Sequence, residues 1–375
     1  MRKMNDGFSQ YYDEAVEPGR RERAYAWATA IGLQDVDGLK PSEYLLNLAK
    51  RNIEGELSQE EVHKLIGEYY QGKEGQARPP DQREADLVSA NISAFLKKPG
   101  FRLSPIFYRG VHKALFDGVL PNAGEYRQVE LRKKEWVLNG ESVDYLPSVM
   151  IDEELRAEFD SEKRFKRVGL SEDAFVHHLA EFISAIWIIH PFREGNTRTA
   201  AIFAIKYLRS LGFAVENVLL KDNSWYFRNA LVRANYENKR LEIVPELGYL
   251  EDFFKVLLYG YEIELKNRYL HILSPYGSKR ARALAELHRS DIRRNDGVND
   301  GVNDGVKCSL NKTEEKAVKA ILREPHISAA ALAKLLGVKQ RQAERVISSL
   351  KRKAGLKRRG SDRRGEWYFA TPAGM

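Results

Sequence analysis

The chain has 375 residues, of which 43% are hydrophobic and 30% charged, so it is long enough for two or three domains and has the composition of an ordinary globular protein. Its single cysteine, Cys308, excludes an internal disulfide, and no apolar stretch suits a secretory signal or a membrane span, so we expect a cytoplasmic protein without membrane partners. The net charge of +8 is concentrated in residues 311–375, which hold 16 lysines and arginines against 6 acidic residues. This basic tail predicts a polyanionic partner.

Predicted helices dominate the part of the chain before this tail. In the segment 1–75, Ser58-Gln-Glu-Glu61 precedes an apolar run and is a capping-box sequence, typical of the start of a helix. Further helices are predicted over residues 83–96 and 105–115. We place one mainly α-helical domain at residues 83–275.

Residues 124–145 break this helical pattern. Residues that favour strands flank Asn139-Gly140, a dipeptide that favours the tight turn of a β-hairpin. The edge strand of such a hairpin offers unpaired backbone groups to which an extended peptide can add as a further strand. A hairpin that only decorates the surface is the alternative.

A predicted helix–loop–helix over residues 171–211 carries most of the chemistry. Apolar residues recur at helical spacing after a serine that can cap the first helix, and Pro191 predicts that this helix stops near His190. A second helix is predicted over residues 197–211, so the loop Glu194-Gly195-Asn196 leads into a helix N-terminus. Free backbone amides and the helix dipole favour an anion at such a terminus.

The residues of this loop suit phosphate chemistry. His190 is a candidate base, because a neutral imidazole accepts a proton near pH 7. Glu194 is a candidate ligand for Mg²⁺, which prefers one or two carboxylates together with phosphate oxygens. Gly195 lets the backbone approach a phosphate, and Arg198 adds a forked cation one turn into the helix. The alternatives are a histidine that merely ends a core helix and a zinc site, for which no third ligand lies nearby in the sequence.

Three copies of Asn-Asp-Gly-Val at residues 295–306 mark a boundary. Glycine together with Asn and Asp at this density breaks helices and predicts a flexible linker at residues 290–308. A calcium loop is the alternative, but the aspartates lack the alternating ligand spacing and the closing glutamate of such loops.

Residues 309–375 are predicted to form a winged helix-turn-helix domain that binds DNA. Helices are predicted over 312–323, 329–336 and 339–353, followed by a short hairpin over 356–369. In this arrangement the third helix enters the major groove and the hairpin touches the DNA backbone or the minor groove. The candidate base contacts are Lys339, Gln340, Arg341 and Gln342, and the candidate phosphate contacts are Arg345, Lys351, Arg358, Arg363 and Arg364. A small protein-binding domain with solvated charges is the alternative.

The stretch His190-Pro-Phe-Arg-Glu-Gly-Asn-Thr-Arg198 resembles the signature of the Fic family, His-Pro-Phe-x-Asp/Glu-Gly-Asn-Gly-Arg-x-x-Arg. The resemblance implies a helical Fic-type core with a small β-hairpin, called the flap. It also implies transfer of AMP from Mg·ATP to a Tyr, Thr or Ser hydroxyl of a target protein that docks on the flap. His190 would be the catalytic base, Glu194 would hold Mg²⁺, and Phe192 would anchor the loop. The residues implied to surround the nucleotide are Gly195, Asn196, Thr197 and Arg198.

Two positions depart from the signature. Thr197 replaces a glycine, and Ala201 stands where the family has a second arginine that reaches the γ-phosphate. These departures leave open a second function, that of a transcription regulator whose Fic domain senses a nucleotide with little or no catalysis. Transfer of UMP or of a phosphoryl group also stays open. Because winged-helix proteins often form dimers, a homodimer is a further expectation.

Residues 23–66 resemble the small helical antitoxins that pair with Fic toxins, which implies that this segment restrains the site. Those antitoxins block it with a Ser/Thr-x-x-x-Glu-Gly sequence. The nearest counterpart here is Asp37-Gly38, with Leu33 at the Ser/Thr position. Asp37 is therefore the inhibitory candidate, within reach of Arg198, and Glu54 is a second candidate. A plain helical scaffold is the alternative.

Overall fold

A computed structural model describes residues 8–12, 16–215, 218–273, 312–353, 356–359 and 366–369, and the predicted linker lies outside them. The described chain is mainly α-helical, and none of its helices is both long and apolar enough to cross a membrane. The helices before the linker are α1 (Pro18–Gly32), α2 (Glu43–Glu54), α3 (Gln59–Gln71), α4 (Lys73–Gln76), α5 (Pro80–Lys97), α6 (Pro105–Phe116), α7 (Ile151–Arg164), α8 (Glu172–Ile189), α9 (Asn196–Ser210), α10 (Val218–Ala234), α11 (Gly248–Tyr259) and α12 (Asn267–Leu270). Short 3₁₀ turns lie at Ser9–Tyr11, Leu33–Asp37, Trp136–Leu138, Ser148–Met150 and Lys239–Leu241.

Local capping explains where several helices begin. The capping box predicted at Ser58 is confirmed, because its hydroxyl accepts from the Glu61 amide while the Glu61 carboxylate accepts from the Ser58 amide. The Ser171 hydroxyl accepts from the amide of Ala174 and starts α8. Such caps satisfy backbone amides that have no partner within the helix.

The N-terminal helices form their own hydrophobic cluster and are fastened to α5. The cluster joins α1, α2 and α3 through Trp27, Leu48, Ile53 and Ile66. A buried carboxylate on α5, that of Asp86, accepts hydrogen bonds from the backbone and the hydroxyl of the residue that caps α2. The N-terminal segment is therefore packed onto the rest of the body.

Helix α1 also belongs to the main core, where it approaches α10 closely. A Cβ at Gly32 would lie 2.3 Å from the Cα of Lys221, so only glycine permits this contact. The Ser224 hydroxyl on α10 donates to the carbonyl of Gly32 at 2.8 Å. The 3₁₀ turn Leu33–Asp37 follows directly after α1. The contact between α1 and α10 therefore places this turn beside Arg198, at the start of α9.

The β-hairpin expected within residues 124–145 is not confirmed, since this fully described segment contains a 3₁₀ turn and no strand. The chain does reverse at Asn139-Gly140, where both residues have positive φ, and the Glu135 amide donates to the Glu141 carbonyl at 2.9 Å. Beyond that pair the Lys133 amide donates to the Ser142 hydroxyl at 3.1 Å. A side chain thus takes the place of the next backbone partner, and no ladder of strand hydrogen bonds develops.

The tail has helices Lys312–Arg323, Ala329–Leu336 and Gln340–Lys353, followed by strands β1 (Leu356–Arg359) and β2 (Glu366–Phe369). The strands pair antiparallel with Leu356 opposite Phe369. A separate hydrophobic cluster includes Ile321, Leu332 and Leu350 from the helices and Trp367 from β2. The helices lie where the sequence predicts them, within one residue at each end.

Candidate active site

His190 ends α8 in a left-handed conformation, with φ of 49°. This conformation is uncommon for a residue other than glycine and needs support from its surroundings. Arg127, whose side chain is fully buried, supplies that support: its Nε donates to the His190 carbonyl at 2.8 Å, and its backbone amide donates to the Pro191 carbonyl at 2.8 Å. The same guanidinium also donates to the Leu146 carbonyl, so the segment 124–145 holds the loop in place.

The His190 ring is covered in this structure. Only 3% of the residue is exposed, and its ring stacks on that of Tyr145 with centroids 3.9 Å apart. Nδ1 lies 3.3 Å from the Trp187 carbonyl, which favours the tautomer that carries its proton on Nδ1, while Nε2 has no hydrogen-bond partner among the described residues. Burial holds the pKa of His190 well below its ordinary value, and the nearby charge of Lys133 lowers it further. Nε2 is thus a neutral hydrogen-bond acceptor, and no donor among the described residues reaches it.

The loop after His190 is braced from inside by Asn196. The Asn196 side chain accepts from the Phe192 amide at 2.9 Å and donates to the Phe192 carbonyl at 2.7 Å. Phe192 itself is fully buried, as the resemblance implies. Asn196 was expected to hold a phosphate, but both ends of its amide serve the loop, which leaves its backbone N–H at the start of α9 as the donor for a ligand.

Gly195 has φ of 72° and lies against the ring of Phe116. A Cβ at this position would come within 2.1 Å of that ring, so no other residue fits. The glycine therefore serves the close packing of α6 against the loop.

His112 on α6 ties the loop to the start of the segment 124–145. Its Nδ1 accepts from the Gly124 amide at 2.8 Å, so its Nε2 carries the proton and donates to the Glu194 carbonyl at 3.1 Å. The ring also stacks on Phe192 with centroids 3.8 Å apart. Burial lowers the pKa of His112 to about 4, which keeps the ring neutral and preserves both hydrogen bonds.

Glu194 is the acidic residue of the loop, and 60% of its side chain is exposed. It forms an ion pair with Lys133 at 3.1 Å. A single carboxylate beside a helix N-terminus, where the dipole favours an anion, fits Mg²⁺, which takes its remaining ligands from phosphates and water. No group of three or more potential metal-ligating side chains occurs among the described residues.

Arg198 is buried and is held by two residues of the turn Leu33–Asp37 and by one residue of α5. Its Nη1 donates to the Gln34 side chain at 3.0 Å, and its Nη2 donates to the Glu84 carboxylate at 2.8 Å. Asp37 Oδ2 lies 3.0 Å from Nε, which makes an ion pair although the oxygen is off the N–H direction. Because Arg198 is buried and both of its Nη atoms donate to side chains, its guanidinium is not available to a phosphate in this conformation.

The carboxylate of Asp37 bridges two cations. Its other oxygen accepts from Arg228 Nη1 on α10 at 3.1 Å. Although burial raises the pKa of Asp37, the charges of Arg198, Arg228 and Lys133 outweigh that effect and hold this pKa below its ordinary range. Glu54, the second inhibitory candidate, instead accepts from the Tyr11 hydroxyl at 2.5 Å within the N-terminal cluster.

Residues 102–208 match a family model described as the Fic/DOC family. The chain contains a Fic/DOC domain. Among curated proteins, the chain is 29% identical over 162 residues to the "Probable protein adenylyltransferase y4lH" of Sinorhizobium fredii, a match that covers 42% of this chain and 80% of that protein.

The chain also has a weaker similarity to several solved structures. One is BepC, a VirB-translocated effector protein of Bartonella tribocorum with bound AMPPNP, at 19% identity and a TM-score of 0.37, covering 49% of this chain and 90% of that one. Another is a Fic family protein from Desulfovibrio desulfuricans, at 15% identity and a TM-score of 0.39, covering 98% of this chain and 90% of that one.

Some residues of the Fic/DOC domain and its surroundings were not predicted. Thr197 was expected beside the nucleotide, and its hydroxyl accepts from the Trp187 indole at 2.9 Å. The unpredicted residues around the site are Gln34, Glu84, His112, Arg127, Lys133, Glu135, Tyr145 and Arg228. Gln34 could have been found from the sequence, because it lies three residues before the inhibitory candidate Asp37. The other residues come from elements that are distant in the sequence from the loop or from Asp37.

In the tail, the side chains of Lys339, Gln340, Arg341, Gln342 and Arg345 are all exposed at the start of the helix Gln340–Lys353. Arg358 lies over the ring of Trp367 at 4.8 Å, as does Lys351 at 5.4 Å. Arg363 and Arg364 lie outside the described residues.

Proposed function

We propose that this chain is a Fic-type protein adenylyltransferase, which transfers AMP from ATP to a Tyr, Thr or Ser hydroxyl of a target protein. The observation that carries the proposal is the close grouping of an unpartnered imidazole nitrogen on His190, an accessible carboxylate on Glu194 and the amide-lined N-terminus of α9. The relative named as an adenylyltransferase supports the same class of reaction.

In the proposed reaction, His190 Nε2 takes the proton of the target hydroxyl as that oxygen attacks the α-phosphorus. A bond forms from the target oxygen to the α-phosphorus, and the bond from the α-phosphorus to the bridging oxygen breaks. Pyrophosphate leaves with the electron pair, and the proton on His190 passes to it or to solvent. The amides of Gly195 and Asn196 and the guanidinium of Arg198 would bind the phosphates once Arg198 is released.

Glu194 would hold Mg²⁺. When bound, Mg²⁺ neutralises charge on the phosphates. Lys133 forms an ion pair with the same carboxylate in this structure, so it would have to give up that contact. The target would dock along residues 124–145, whose Arg127 holds the His190 loop.

The N-terminal segment would restrain this reaction. Asp37 and Gln34 of this segment hold Arg198 together with Glu84 of α5, while Tyr145 covers His190. Activity would therefore require the turn Leu33–Asp37 to withdraw from Arg198 and the Tyr145 ring to move aside. A single substitution tests this more cleanly than truncation, since α1 contributes to the core of the body.

The test is label transfer from α-³²P-ATP with Mg²⁺, to the chain itself and to proteins of a cell lysate, comparing the wild type with His190→Ala and Asp37→Asn. We expect weak labelling by the wild type, stronger labelling by Asp37→Asn and none by His190→Ala. Label that does not depend on His190, or no label from any form with ATP, UTP or CTP, would overturn the proposal.

The tail is proposed to bind DNA as a winged helix-turn-helix domain. Its helices and its two-stranded hairpin have the order of that fold, and the helix Gln340–Lys353 exposes its polar and basic N-terminal residues. The burial of Arg198 beside Gln34, Asp37 and Glu84 favours a second candidate, a regulator that senses a nucleotide without catalysis. Nucleotide binding by the Asp37→Asn variant with no label transfer would favour that candidate.

A further inference from the structure

Two guanidinium groups from different helices converge on one carboxylate beside the candidate active site. Asp37 Oδ1 lies 3.1 Å from Arg228 Nη1, and Asp37 Oδ2 lies 3.0 Å from Arg198 Nε. About a quarter of the Asp37 side chain is exposed, while the side chains of Arg198 and Arg228 are 2% and 13% exposed. The geometry is that of a small anion held between two forked cations.

Arg228 is held from its opposite side by a residue outside the N-terminal segment. The carboxylate of Glu135, which is buried, accepts from Arg228 Nη2 at 3.0 Å and from Nε at 3.3 Å. Its Nη1 donates only to the turn Leu33–Asp37, to the carbonyl of Val36 at 2.9 Å and to Asp37. If that turn withdraws, Glu135 keeps Arg228 in place and Nη1 is left with two unpaired donors facing the gap.

Asp37 is one of several charged groups around the two guanidinium groups. Glu135 balances Arg228 and Glu84 pairs with Arg198, while Lys133 adds a further positive charge that acts on Asp37. Withdrawal of Asp37 therefore removes one negative charge from this half-buried site and leaves Arg198, Arg228 and Lys133 opposed by Glu84, Glu135 and Glu194. Because Ala201 brings no charge to α9, the second arginine of this site comes from α10.

We propose that Arg228 and Arg198 together bind the terminal phosphate of a nucleoside triphosphate, in the place that Asp37 occupies in this structure. The inference rests on the proposed function, since it concerns the nucleotide of the same site. Arg228 is then a residue that determines specificity: it distinguishes a triphosphate from a diphosphate, which is too short to reach between the two guanidinium groups.

The test compares the affinities of α,β-methylene ATP and α,β-methylene ADP by isothermal titration calorimetry, because neither analogue can be cleaved between the α- and β-phosphates. All variants carry Asp37→Asn, which removes the negative charge that holds the turn Leu33–Asp37 against the two guanidinium groups. We expect Arg228→Gln to weaken binding of the triphosphate about 10- to 100-fold, as expected for a lost hydrogen bond between charged groups, and to leave diphosphate binding unchanged. Arg240→Gln, at an exposed arginine in the 3₁₀ turn Lys239–Leu241, is the matched control and should change neither affinity.

Arg228→Lys keeps a charge and most of the packing in case the glutamine variant does not fold, and we expect it to retain part of the preference for the triphosphate. Equal weakening of both analogues, or no weakening, would show that Arg228 only supports the structure through Glu135 and would overturn the inference alone. Absence of binding of either analogue to the Asp37→Asn protein would overturn the inference and the proposed function together.

Discussion

Gly195→Ala tests whether the active-site loop depends on close packing against α6. The substitution places a Cβ 2.1 Å from Cζ and 2.3 Å from Cε2 of Phe116, in a backbone with φ of 72°. The Phe116 ring has little room to move, because His112 packs on it with centroids 4.7 Å apart and the Arg198 guanidinium lies 4.8 Å from its centroid.

The magnitude follows from two separate costs. A left-handed conformation costs a residue with a Cβ about 1–2 kcal/mol, and overpacking in a close-packed interior costs about 1–3 kcal/mol more. We therefore expect the free energy of unfolding to fall by about 2–5 kcal/mol. Gly118→Ala is the matched control, since Gly118 has the same φ of 72° but nothing within 4 Å of its Cβ position, so it should lose only about 1–2 kcal/mol.

The assay is urea unfolding of both variants, followed by intrinsic tryptophan fluorescence. The reasoning requires Gly195→Ala to lose clearly more stability than Gly118→Ala, because only the contact with Phe116 differs between them. Equal losses would refute it and would mean that the ring moves aside at no cost.

Three further predictions concern buried polar groups and the tail. Thr197→Val leaves the Trp187 indole without its acceptor and should lower the free energy of unfolding by about 1–3 kcal/mol in the same urea assay. Thr199→Val is the control and should change that free energy little, because the Thr199 hydroxyl has no partner among the described residues. The pKa of His112 is lowered to about 4, so its contribution to stability is complete above its ordinary value of about 6.5 and is lost as the pH falls from there towards 4. His112→Gln, which does not titrate, should therefore lose less stability than the wild type over that range of pH, and an equal loss in pH-dependent urea titrations would contradict this. Arg345→Ala should weaken DNA binding and reduce the slope of log K against log salt by about 1 in fluorescence anisotropy titrations, with an unchanged slope counting against a phosphate contact.

Much of the architecture could be predicted because it depends on neighbours along the chain. Pro191 stops α8, Ser58 opens α3 with a capping box, and glycine allows the turn into α9. These are short-range effects of backbone geometry and side-chain hydrogen bonds, and the local sequence determines them. The hairpin expected at Asn139-Gly140 failed for a different reason: the turn formed, but the Ser142 hydroxyl took the backbone donor that a second strand would have used.

The sequence alone determined where the loop with His190 and Glu194 lies and that a helix N-terminus follows it. Only the tertiary structure decided what surrounds that loop. Arg228 and Asp37 are 191 positions apart in the chain, and they meet because Gly32 allows α1 to touch α10. Neither hydrophobic periodicity nor local propensity predicts such a contact, because it forms only when helices pack and bring charges that are distant in the sequence together. Burial then makes each of these charges require a partner of opposite sign.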